Sequence, residues 1–337
     1  MPPPPPLITA SHAAFLRRWM LASAAVVVLT LVIGGTTRLT ESGLSITEWK
    51  PVSGVLPPLT PEAWEAAFTA YQQIPEAQTV HRGISLEAFK SLFWWEWAHR
   101  IVARLAGLVM ALPFLWLLAR RQVPAGWMTR LAALPILTGA QGALGWYMVS
   151  SGLSQRTDVS QYRLVAHLGL ALLIYAIAIW TWLDLRAGPR SAQLNRVGAL
   201  VAALAAVTIL SGGFVAGLDA GHIFNTFPQM GDGLVPPGYS QLTPVWRNWF
   251  ENAAAVQFNH RVLATVTLFA AVLAWWRGRA PGSNGMALAA IGQVALGITT
   301  LLLQVPIPVA ALHQLGAVVL LTAALRAAHP ATGHSSR

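Results

Sequence analysis

The sequence predicts an all-α integral membrane protein, with eight transmembrane helices forming two tandem four-helix bundles. Three observations predict it. Apolar runs of about 20 residues, the length a bilayer's hydrocarbon core requires, recur along the chain. Only 10% of the 337 residues are charged, 55% are hydrophobic and mean hydropathy is +0.54, whereas a soluble domain carries about 25% charged residues. Polar motifs in the first half also return at matching places in the second. The high apolar content excludes disorder. The absence of cysteine excludes disulfides, zinc–thiolate sites, iron–sulfur clusters and cysteine nucleophiles.

The elements follow in order. Residues 1–15, opening MPPPPP, form a disordered leader. The first span covers about 16–36. Arg17 and Arg18 precede it as in a signal peptide, but the run is long for one. Gly34-Gly35 leads into patterned sequence with no clear cleavage site, so it is an uncleaved helix. A long loop, 38–92, carries turn clusters at Ser53-Gly54 and Pro57-Pro58. Within it Thr60-Pro61-Glu62 marks a helix start, with Thr60 as N-cap and Pro61 at the first helical position.

Further spans run over about 95–118, 129–148 and 163–183, completing a unit at 16–185. Pro113 and Pro135 inside them are tolerated where neighbouring helices re-satisfy the backbone. A linker, 186–196, leads to a second unit, 197–328, with spans at about 197–217, 257–276, 285–304 and 310–328. Its long loop, 218–255, is rich in Gly, Pro and aromatic residues, and a short tail, 329–337, ends the chain. Trp49, Trp64, Trp94, Trp95, Trp246 and Trp249 form an interfacial aromatic belt.

The net charge of +10 first raises nucleic acid, but its distribution argues against that partner. Arg17, Arg18, Arg120, Arg121, Arg130, Arg186, Arg190, Arg196, Arg277, Arg279, Arg326 and Arg337 flank spans on the side of the N-terminus. By the positive-inside rule that side is the cytoplasm, and an even number of spans returns the C-terminus there. Eleven of the twelve acidic residues fall on the other side, Asp184 being the exception.

The repeat locates candidate ligands. Glu96-Trp97-Ala98-His99-Arg100 opens the second span and Gln257-Phe258-Asn259-His260-Arg261 the sixth. His167 opens the fourth and His313 the eighth, while the third and seventh share a glycine-containing pattern around Gln141 and Gln293. Two units with four spans each make the repeat parallel. All four histidines therefore lie at one depth near the outer face. Two imidazoles facing across a four-helix bundle can ligate a haem iron axially. The other five histidines, His12, His81, His222, His329 and His334, lack this placement and are solvent-facing or structural.

The halves differ at one point: Glu96 stands three residues before His99, on the same helix face, where Gln257 precedes His260. A carboxyl beside a haem edge could carry protons; otherwise it pairs with Arg100 or Arg104. Those arginines could bind haem propionates or extend toward headgroups. A di-haem b-type membrane electron carrier shares the four histidines, but needs haems stacked across the membrane. A haem-handling protein without chemistry would not require Glu96.

The sequence resembles the haem A synthase family, in its mitochondrial and alphaproteobacterial branch, from about residue 15 to 328. The matching segments are 34–46, opening Gly34-Gly35-Thr36-Thr37-Arg38, then Glu48-Trp49-Lys50-Pro51, Phe93 to Arg100 and Gly142 to Val149. The second half adds Gly217 to Gly221, Asn225 to Met230 and Gln257 to Arg261. The resemblance implies an inner-membrane enzyme that oxidises the C8 methyl of haem O to a formyl group, by successive hydroxylations and loss of water. It implies haem b as cofactor on His260 and His313. It places substrate haem O around His99 and His167, and Glu96 as the essential carboxylate. It implies haem O synthase as the supplier, an unidentified electron acceptor and a homo-oligomer of unstated number. Some members carry a loop cysteine pair that this chain lacks, so its electrons leave by another route, with haem b the candidate.

Overall fold

The computed structural model describes residues 10–50, 53–153, 156–186, 194–278, 280 and 282–330. The proline-rich start, Pro51, Arg190, Arg279, His334, Arg337 and most of the linker and tail lie outside the described residues. The eleven α-helices among those described are α1 (Ala10–Leu39), α2 (Pro61–Tyr71), α3 (Pro75–Thr79), α4 (Leu86–Ala119), α5 (Met128–Val149), α6 (Gln161–Arg186), α7 (Arg196–Gly217), α8 (Asn248–Glu251), α9 (Ala253–Trp276), α10 (Ser283–Leu302) and α11 (Ile307–Ala328). The described residues contain no strand, only an isolated bridge between Met230 and Gly233.

Seven of these helices are long and apolar enough to cross a membrane: α1, α4, α6, α7, α9, α10 and α11. The expected third span, α5, has the length at 22 residues but is less apolar. Thr138, Gln141, Trp146, Tyr147 and its glycines dilute it, and Gln141 is spent on a contact to α6 described below.

Two boundaries differ from expectation. Helix α1 begins at Ala10, so residues 10–15 and His12 belong to it and not to a leader. Helix α4 starts at Leu86, capped by Ser85, whose hydroxyl accepts from Ala88 N. Its 34 residues make a rod of about 50 Å, longer than any hydrocarbon core. The extra turns carry Glu87 and Lys90, which interrupt the apolar run and hid this part of the helix.

Helix α1 packs on α4 and α6, and α5 lies against both α4 and α6. Helix α7 packs on α9 and α11, and α10 lies against both α9 and α11. Across the seam α6 meets α7, α1 meets α11, and α6 touches α11, where Tyr175 Oη lies 2.6 Å from Thr322 Oγ1. First helix against the other half's fourth, twice, is the contact pattern of a pseudo-two-fold axis. Buried Leu16, Met20, Leu131, Ala178, Val201 and Ala324 belong to the one core running through both halves.

Asp184, the acid among the arginines, is buried at the end of the helix bundle opposite the long loops. It is held by Arg130 and by His329 Nε2 at 2.9 Å. A carboxylate on that side is retained because it is paired, and His329 is structural. At the loop end Arg38 ties α1 to Asp219 at 2.6 Å and to Asp158 at 3.5 Å, closing the seam.

The loop between α1 and α4 builds its own small core. Thr60 caps α2 as expected, accepting from Ala63 N, with Pro61 inside the first turn. Tyr71, Phe89, Phe93, Leu44 and Ile74 pack together. Trp64 stacks edge-on against Phe93 at 4.9 Å and so joins this cluster; Trp49, Trp94, Trp95, Trp246 and Trp249 are exposed. Tyr71 Oη lies 2.6 Å from His81 Nδ1 and 3.3 Å from Glu76 Oε2, and Glu41 lies 3.4 Å from His81 Nε2. His81 is thus part of a polar cluster. Burial pushes the Glu76 carboxyl up to about 8, with Asp158 and Glu41 adding to it.

A carboxyl raised in the folded state contributes stability that is full below its unfolded value near 4.5 and lost as pH rises through about 8. Amide-exchange protection of α2 and α3 should therefore fall as pH is raised across that window, beyond the intrinsic exchange rate. Glu76→Gln should flatten the dependence; an unchanged slope would remove Glu76 as its source.

Candidate functional site

The four histidines sit on α4, α6, α9 and α11, each half-buried. They associate by half: His167 lies within electrostatic range of His99 and Glu96, and His260 within range of His313. None belongs to a cluster of three or more metal-ligating side chains among the described residues.

Each pair is held from a neighbouring helix. Ser211 Oγ donates to Thr208 O at 2.7 Å and lies 2.7 Å from His260 Nδ1. In the tautomer with the proton on Nδ1, the Ser211 oxygen accepts from Nδ1–H and Nε2 keeps a lone pair for a metal. A second-atom hydrogen bond of this kind fixes the tautomer a metal needs. Gln293 Nε2, from α10, donates to the His313 carbonyl at 3.0 Å and lies 3.1 Å from His313 Nδ1. Its counterpart Gln141, from α5, donates to the His167 carbonyl at 2.9 Å.

Glu96 is buried, with 4% of its side chain exposed. Arg100 Nε donates to its Oε1 at 2.6 Å, and its Oε2 lies 3.9 Å from His99 Nδ1. The ion pair with Arg100, one of the two sequence alternatives, fixes one oxygen and leaves the other toward the histidine. Gln257, equally buried, instead donates to the Phe224 carbonyl at 3.1 Å.

The arginines do something the sequence reading missed. Arg100 donates to the carbonyls of Ile46 at 2.8 Å and Glu48 at 2.9 Å. Arg261 donates to those of Phe224 at 2.8 Å and Thr226 at 3.0 Å. These carbonyls correspond: they lie twelve and fourteen residues after Gly34 in one half and after Gly212 in the other. Arg104 adds a bond to the Lys50 carbonyl at 2.9 Å. The arginine after each second-helix histidine therefore straps an equivalent loop down beside it. A signal was present: Gly54-Val55-Leu56-Pro57-Pro58 returns as Gly233-Leu234-Val235-Pro236-Pro237.

The residues fit haem. Paired imidazoles, and buried polar atoms without a hydrogen-bond partner among the described residues (His167 Nδ1, Gln257 Oε1, Arg261 Nε), are what a bis-histidine pocket provides.

Fold and site define a polytopic helical membrane protein with two pairs of histidines on its long helices. A model of the family described as cytochrome oxidase assembly protein matches residues 17–325. A protein of Parvibaculum lavamentivorans named heme A synthase is 48% identical over 306 residues, 89% of each chain. One of Rhodospirillum centenum with the same name is 50% identical over 302 residues, covering 86% of this chain and 81% of its own. One of Nitrosospira multiformis is 44% identical over 89% of this chain and 88% of its own. The chain belongs to the haem A synthase family of cytochrome oxidase assembly proteins.

Arg261→Ala should release the 224–229 loop, raising its amide exchange or cleavage by added protease while leaving 46–50 unchanged. Arg100→Ala should do the reverse. Equal protection in both variants would show that the straps carry no load.

Proposed function

We propose that this chain is a haem A synthase, oxidising the C8 methyl of haem O to the formyl group of haem A. The observation that carries this assignment of the halves is Glu96 against Gln257: two like histidine pairs, of which only one has a carboxylate. On this reading the chain spans the cell inner membrane eight times, with α5 as the third span. It forms two four-helix units with both termini in the cytoplasm and the histidines toward the periplasm. Haem O occupies the first unit between His99 and His167, and haem b the second between His260 and His313.

Haem b, when bound, supplies a one-electron redox centre. The chain's own residues do the rest. Converting a methyl to a formyl group releases protons as well as electrons, and Glu96 Oε2 is the oxygen available to take a proton, because Arg100 holds Oε1. Arg100 and Arg104, which hold the loop carbonyls, bind the haem propionates, and the straps exclude water from the haem edge. Haem O synthase hands over the substrate, a separate acceptor takes the electrons without any cysteine relay, and the protein works as a homo-oligomer.

The test is extraction of haems from purified protein expressed with a haem O supply, followed by chromatography and mass analysis. Haem b with haem O, an alcohol intermediate or haem A is expected; haem b alone at two per chain would replace the synthase with an electron carrier. His260→Ala and His313→Ala should lower haem b. Glu96→Gln should keep haem b and slow haem A formation by about 100-fold or more, the usual scale for a lost proton-transfer group. Full activity would remove Glu96 from the chemistry.

A further inference from the structure

We infer that Gly34, Gly145, Gly212 and Gly297 are positioning residues, each providing the space into which one candidate haem-ligating imidazole fits. A Cβ on Gly34 would lie 2.8 Å from His99 Nε2, and one on Gly297 would lie 2.9 Å from His313 Cε1. On Gly145 and Gly212 it would lie 3.1 Å from Cε1 of His167 and His260. Carbon contacts are optimal at about 3.5–4.0 Å, so in all four places a methyl group would push on the ring.

The arrangement repeats in full. In each half the first helix offers a glycine to the second-helix histidine (α1 to α4, α7 to α9). The third helix offers one to the fourth-helix histidine (α5 to α6, α10 to α11). Small residues in membrane helices ordinarily let two backbones approach, and this chain has such positions. A Cβ on Gly198 would meet the backbone of Ala327 and Ala328 at 2.4–2.7 Å. Gly213, next to Gly212, faces Val165 and Leu168 across the seam. At the four inferred positions the nearest atoms are instead those of an imidazole ring. Two of these glycines also share a helix face with a polar holder of the same histidine. Gln293 stands four residues before Gly297, and Gln141 four before Gly145. Ser211, which fixes His260 Nδ1, adjoins Gly212. Holder and glycine together bear on one histidine: the holder bonds its backbone or ring, and the glycine leaves room for the ring.

The inference rests on the proposal that these histidines hold haem, and the experiment separates the two. The four glycine-to-alanine variants are purified with bound haem beside His260→Ala, Gly139→Ala and Gly292→Ala. Gly139 and Gly292 lie on α5 and α10 with no atom within 4 Å of an added Cβ. Haem b content, its optical and paramagnetic-resonance signature and haem A formation are read on each. Gly212→Ala and Gly297→Ala should weaken haem b retention roughly tenfold or more, the scale for a lost ligand-orienting partner, or convert it from low spin to high spin. Gly297→Ala should show the larger effect. Gly34→Ala and Gly145→Ala should keep haem b at the parental level with its signature unchanged, and lose haem A formation. The two controls should match the parent.

Should Gly297→Ala not accumulate, Gly212→Ala, which asks the ring to give by only a few tenths of an ångström, carries the comparison. Parental haem b signature in the second-half variants, with His260→Ala depleted, overturns the inference and leaves the proposed function standing. Equal haem b loss from all four variants overturns it as well, since general packing would then be the cause. Undiminished haem b in His260→Ala overturns the haem assignment itself.

Discussion

An imidazole among apolar helices needs a partner for its polar atoms and room for its ring, and much of this structure is organised by that double demand. A polar group left unpaired in such surroundings costs several kcal/mol, roughly. His260 is met by Ser211, and the backbones at His313 and His167 by Gln293 and Gln141. Each holder comes from the adjacent helix of the same half, so the bond also sets the spacing and rotation of the helix pair. Gln141, which serves α6, is one of the polar residues that lower the hydropathy of α5.

Repetition turns that local solution into an architecture. The same contacts in both halves give the same helix ring, and the seam contacts of α1 with α11 and α6 with α7 relate the rings as equivalents. Against that likeness, the difference at one buried position beside the histidines carries weight. Glu96 and Gln257 occupy one position, are buried alike and have nearly the same shape. One can exchange a proton and the other cannot. The amide spends its N–H on the loop carbonyl of Phe224. The carboxylate has no hydrogen to spend, and recruits Arg100 as the link between helix and loop.

What the sequence disclosed follows the same division between local and non-local physics. Apolar runs long enough for a bilayer marked the long helices. Thr60-Pro61 marked the start of α2, because an N-cap is chemistry between near neighbours. The matched histidines were legible because a repeat is a property of the string. The outer turns of α4 were not, since their stability comes from Phe89 and Phe93 packing on Tyr71, Phe68 and Trp64 from another segment. Nor were the partners of Arg100 and Arg261, which are carbonyls in irregular loops whose path no periodicity predicts. The glycines facing the imidazoles were visible as residues but silent as contacts, since each meets a ring from a different helix.

The straps connect the buried site to the loops at that end of the bundle, and their chemistry explains why arginine stands beside the histidine in both halves. A guanidinium offers five N–H groups in a fixed plane and can bind several acceptors at once. Arg100 holds two loop carbonyls and a carboxylate together; a lysine ammonium would present a point charge with no such plane. Placed one residue after the histidine, the guanidinium shares its helix turn, so anything that shifts the histidine's helix also pulls on the loop. Loop closure and histidine geometry are thereby coupled through adjacent residues, once in each half. In the first half that coupling includes Glu96. The side chain that fixes the loop therefore also fixes which carboxylate oxygen faces His99.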